Sequence, residues 1–181
     1  MVKINKLEAY LNDIENSIKS DAYLSGLALA LILPDICGKI EKDGANNREK
    51  YINWFDKWVY SKTYKLSENK GFTEDNFLKI DGNICYALRC CFLHAGNFDL
   101  KSKGENIDRF QFCIGKENKN NGNLYSYMFD RSGNVINIRI QLNVVEFLQN
   151  MIYGVKIFIK EKDLTENEQL NIDTIALDKY F

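Results

Sequence analysis

AYLSGLALALIL, residues 22–33, carries no charge and is apolar on nearly every side when wound as a helix, the pattern of an element packed all round by neighbours. It predicts a central helix. Pro34, the only proline, follows at once and predicts either a kink or a new helix starting there, because proline lacks the N–H that an interior turn uses. The apolar run from Leu24 to Leu33 is about half of the roughly 20 residues that a membrane helix needs, and the opening MVKINKLE has no secretory apolar core. The chain is therefore expected to be soluble and cytoplasmic, with no membrane partner.

Upstream of this stretch, Leu7, Tyr10, Leu11, Ile14 and Ile18 recur at three- and four-residue steps, which predicts an amphipathic helix ending near Ser20 and Asp21. Downstream, a polar loop over 41–47 leads into 48–60. There Tyr51, Trp54, Phe55 and Trp58 form an aromatic stripe at helical spacing, read as buried packing ahead of base stacking. Residues 61–76 read as a loop, with a short helical piece around 73–78. Asp81 is placed to cap the next helix, whose apolar face is Ile84, Cys85, Leu88, Cys91 and Phe92, and Gly96 is placed to stop it. Three alternating segments, 108–114, 124–129 and 135–142, predict a small antiparallel sheet, with turns at 116–123 and 131–134. From Asn143 a long helical pattern resumes, with Gly154 marking close packing within it, and the tail predicts a last short helix from Leu164.

The expected fold is thus mainly α, a helical bundle with an inserted antiparallel sheet (α+β). It forms one domain over 1–181: a helical core at about 3–96 and 143–161, the sheet at about 108–142, and a tail at 162–181. The chain of 181 residues, 45% hydrophobic and 13% aromatic, is long enough to bury a substantial core. Its formal net charge of -1 supplies no global field toward nucleic acid or an anionic membrane, so any such contact is local. The lysines at 101, 103, 116 and 119 offer one such patch, but Glu105 and Glu117 interleave it, which reads as a solvated face.

Several chemistries have no support in the sequence. Gly-rich phosphate loops and a nucleophile elbow are missing. The five cysteines, at 37, 85, 90, 91 and 113, sit in apolar surroundings and read as buried free thiols. One histidine cannot complete a familiar Cys/His zinc site, so neither a metal nor a cofactor is expected. A cysteine hydrolase needs Cys90 or Cys91 beside His94, and no third group is recognisable.

What remains is Arg89-Cys90-Cys91-Phe92-Leu93-His94, which sets the only histidine five positions after an arginine. Arginine brings a permanent charge and a fork of donors suited to phosphate, and histidine titrates near neutral pH. Together they are a minimal kit for opening a phosphodiester without metal. On an ideal α-helix the two lie about 140° apart, so this reading joins them across a two-fold dimer.

Arg89-x4-His94 near the end of an internal helix resembles the R-x4-6-H motif of the HEPN superfamily. The resemblance implies a bundle of four to five helices that dimerises, and a metal-independent endoribonuclease of the toxin–antitoxin or defence kind. It implies Arg89 on the scissile phosphate and His94 as general acid/base, leaving 2′,3′-cyclic phosphate and 5′-hydroxyl ends. The partners it implies are a second copy, RNA, and an antitoxin or other protein. The residue after the motif arginine is usually polar in that family, whereas here it is Cys90. Residues 33–38 and 86–94 also resemble a group of bacterial proteins without an assigned activity, over roughly 20–150. Asn97 reads either as a substrate contact or as a turn residue. The bland alternative stays open beside the enzyme: His94 against the helix C-terminus, Arg89 paired with a carboxylate, and a non-catalytic interaction or nucleic-acid-binding module.

Overall fold

In a computed structural model, the structure describes residues 2–63, 80–95, 109–113, 124–129, 131–133, 135–164 and 171–174. Strand β1 (Val2–Asn5) runs into α1 (Lys6–Lys19), whose N-terminus is capped by Asn5: its side-chain oxygen accepts from the N–H of Leu7 at 3.0 Å. Leu7, Leu11 and Ile14 are buried, so the predicted amphipathic face is the packed one.

Helix α2 (Tyr23–Glu41) is where expectation and structure part. It does not restart at Pro34; the proline lies inside one continuous helix. An interior proline forfeits a turn hydrogen bond and costs roughly 3 kcal/mol, which burial of Leu27, Leu31, Leu33 and Cys37 on the same helix offsets. By length and composition α2 is the one described helix that meets the requirements for crossing a bilayer, yet half of it is buried inside the protein. It touches α1 and every other described helix, as an all-round apolar sequence requires.

Asn46 opens α3 (Asn47–Phe55), accepting from the N–H of Glu49 at 2.9 Å while the Glu49 carboxylate accepts from Ala45 N–H at 2.8 Å. The helix continues as a π-helical turn, Asp56–Tyr60. Tyr51, Trp54, Phe55 and Trp58 are all buried, and Trp54 and Trp58 meet the Phe158 ring edge to face at 5.6 and 5.2 Å. The aromatic stripe is core.

Asp81 caps α4 (Gly82–Arg89) as expected, accepting from Ile84 N–H at 2.9 Å. From Cys90 to Ala95 the chain is π-helical. The expected helical piece at 73–78, the stop at Gly96 and the lysines at 101, 103, 116 and 119 lie outside the described residues.

Strands β2 (Arg109–Cys113), β3 (Leu124–Phe129) and β4 (Val135–Asn143) fall close to the predicted segments, but the sheet order is β2-β4-β3. β3 and β4 are antiparallel; β2 and β4 are parallel. The expected antiparallel sheet is therefore corrected to a mixed one. Its reason is the position of β4, the longest strand, whose Ile140 and Leu142 are fully buried. Taking the middle of the sheet pairs β4 with both of the others. β2 packs on the end of α4 through Phe112 and Phe92, whose rings meet edge to face at 6.2 Å.

Asn143 caps α5 (Val144–Glu161). A further correction concerns the ends of the chain. β1, expected within the helical core, pairs antiparallel with β5 (Asn171–Thr174), so part of the predicted terminal helix is strand; residues 165–170 lie outside the described ones.

Gly154 does mark close packing. A Cβ there would stand 2.7 Å from the Trp58 carbonyl oxygen and 2.7 Å from a Val59 methyl. Gly154→Ala is expected to cost about 1–3 kcal/mol through overpacking, read as a lower urea midpoint at unchanged slope.

Nearby, Glu41 at the end of α2 accepts from Lys57 at 2.6 Å and lies 3.2 Å from Lys162, with its side chain 5% exposed. Burial pushes its carboxyl up, but the two ammonium groups outweigh burial and hold the pKa below the ordinary glutamate value. A lowered folded pKa gives stability that is complete above the unfolded value of about 4.3 and lost as pH falls through the folded one. Denaturation of wild type and Glu41→Gln should therefore differ most at neutral pH and converge in acid below that folded value.

Candidate functional site

The end of α4 carries Arg89, and its guanidinium has a fixed setting. Nε donates to Asp35 Oδ2 at 2.6 Å, with the two side chains 19% and 20% exposed. Asp35 is available because α2 runs on through Pro34 and carries the carboxylate in its body. The guanidinium carbon also lies 5.7 Å from the Tyr51 ring centre and 5.8 Å from that of Tyr86, within cation–π range. Tyr86 stands three residues before Arg89 on α4 and so shares its side of the helix; Tyr51 arrives from α3. Burial would lower the arginine pKa, but the Asp35 carboxylate outweighs it and raises the value, so Arg89 stays charged.

The floor beneath this group is neutral. The Tyr51 hydroxyl lies 3.2 Å from the Leu31 carbonyl oxygen and 3.3 Å from Cys85 Sγ, and burial pushes both the phenol and the thiol well above their usual values. Cys37, Cys85 and Cys91 are buried free thiols as expected, whereas Cys90 is half-buried. Such raised thiols are poor nucleophiles.

Arg89 and Asp35 form one wall of a cavity of about 560 Å³ between α1, α2, the start of α3 and α4. Lys6 and Tyr10 enter from α1, Lys39 from α2 and Tyr86 from α4. Among the described residues, neither Lys6 nor Lys39 has a carboxylate partner. With Arg89 matched by Asp35, the cavity keeps two unmatched ammonium groups, a setting that favours an anion.

Of the three residues nominated from sequence, Arg89 alone has a described side chain. The backbone of His94 belongs to the π-helical turn, its side chain lies outside the described part, and so does Asn97 altogether. The turn changes one expectation. Hydrogen bonds in a π-helix run to the fifth residue, so positions five apart come round to neighbouring places. The 140° offset assumed for 89 and 94 belongs to an α-helix, and helix phase alone no longer calls for a second chain.

Sequence reasoning anticipated that Arg89 could pair with a carboxylate, and it does. It missed Asp35, Tyr86, Lys6 and Lys39. Tyr86 had a signal in its three-residue spacing from Arg89; the others come from α1 and α2, with no local cue linking them to α4. Among the described residues no three His, Cys, Asp or Glu side chains gather as a metal site would require. Compared with known proteins, the chain matches no family model, no curated protein and no solved structure.

Proposed function

We propose that the chain is a metal-independent endoribonuclease of the HEPN type, acting through Arg89 and His94. The observation that supports this most is the setting of Arg89: an arginine oriented by a carboxylate and two aromatic rings on the wall of a cation-lined cavity. An oriented guanidinium stabilises charge on a phosphate without reorganising during the reaction. In the proposed step a general base takes the proton of the RNA 2′-hydroxyl, and that oxygen attacks phosphorus. The bond to the 5′ oxygen breaks, and the departing oxygen takes a proton from a general acid. His94 serves this proton traffic, Arg89 holds the phosphate charge, and Asn97 contacts the substrate.

The test is incubation of structured and unstructured RNAs with the purified protein in EDTA, with end analysis for 2′,3′-cyclic phosphate and 5′-hydroxyl products. No cleavage across varied RNAs would sink the reading. Mixing Arg89→Ala with His94→Ala chains tests the dimer: activity regained on mixing means that two chains complete one site.

A second reading has its own observation. The Arg89 Nε is committed to Asp35, as a structural ion pair would be, and this favours a non-catalytic module that holds RNA or a protein partner in the same cavity. RNA binding without cleavage would select it.

A further inference from the structure

The cavity between α1, α2 and α4 has chemistry beyond Arg89. One part is cationic: Lys6 is half-buried and Lys39 exposed, and among the described residues neither is neutralised by a carboxylate. Another part is apolar and aromatic, with Tyr10 and Ile36 partly buried against the core. Asn47, at the start of α3, adds an amide that both donates and accepts. A volume of about 560 Å³ falls within the range of small-molecule sites, which combine an apolar lining with a few polar groups. A ligand that satisfies all parts at once is anionic at one end and flat and apolar-faced at the other, with hydrogen-bonding edges.

We propose that this cavity is a nucleotide-binding site. The phosphate sits on Lys6 and Lys39, the base lies along the Tyr10 side, and Asn47 meets the base edge. Aromatic rings tolerate any base because every base has a π face, so the site reads phosphate first and base weakly. The inference rests on the proposed function for the source of the nucleotide, a ribonucleotide beside the scissile bond; binding itself requires no cleavage.

Titration calorimetry with adenosine 3′-monophosphate tests it, using wild type, the Lys6→Ala/Lys39→Ala double variant, and Lys160→Ala, an exposed lysine outside the cavity. The expected result is binding by wild type and by Lys160→Ala, at least about tenfold weaker binding by the double variant, and weakening as salt rises. Tyr10→Ala should weaken the nucleotide while leaving inorganic phosphate unchanged. Unchanged nucleotide affinity in the double variant, equal binding of adenosine without phosphate, or no binding by wild type overturns the site. Nucleotide binding that follows this pattern in a protein that cleaves no RNA leaves the site standing and removes the endoribonuclease. Cleavage whose KM is the same in wild type and the double variant does the reverse.

Discussion

Arg89→Ala is expected to lower RNA cleavage by at least about 100-fold while the protein remains folded. The magnitude follows from the role proposed for the guanidinium: removing one preoriented donor to a developing negative charge costs roughly 10² to 10³ in rate. The effect should fall on kcat more than on KM, because Lys6 and Lys39 remain to hold the anion. The same substitution leaves the Asp35 carboxylate, 20% exposed, without its arginine. A stability loss of about 1–3 kcal/mol is expected for an unmet charged group, so urea denaturation belongs beside the kinetics. Arg89→Lys keeps the charge but cannot reproduce the fork of donors that meets Asp35 and a phosphate together, and should recover stability better than rate. Stability lost with cleavage unchanged would assign Arg89 to the fold alone.

Trp54→Ala should be the most damaging single change to stability, at about 3–5 kcal/mol. Trp54 is fully buried, heads the largest enclosed side chains, and meets Phe158 across the joint between α3 and α5. Small domains hold only about 5–15 kcal/mol in total, so this one cavity consumes a large part of it. Trp54→Phe is expected to cost far less. The indole N–H is buried with no hydrogen-bond partner, and phenylalanine removes that unmet donor as well as part of the ring. Chemical denaturation followed by far-ultraviolet circular dichroism reads both. Equal losses in the two variants would contradict the account of the indole.

The helices were legible where the signal was local. Asp81 caps the helix that it precedes, because a side-chain oxygen three residues away needs no tertiary help to reach the Ile84 N–H. The apolar stretch at 22–33 predicted a surrounded helix, and α2 is surrounded. The aromatic stripe of α3 read as core for the same reason of period, and Gly154 as close packing. The site was legible only at Arg89. Its partner Asp35 lies 54 positions away, and the lysines of the cavity come from elements whose own patterns report only burial and exposure.

By itself, then, the sequence determined which segments are helices and strands and which face of each is buried, since periodicity and caps act over a few residues. Tertiary structure alone decided that α2 continues through Pro34, that β2 runs parallel to β4, that β1 closes on β5, and that Arg89 is set against Asp35 and two tyrosines. Each depends on contacts between distant segments, where burial over a whole interface outweighs a local preference. Pro34 makes the physical point most plainly: its cost is one turn of one helix, and the packing that absorbs it comes from four others.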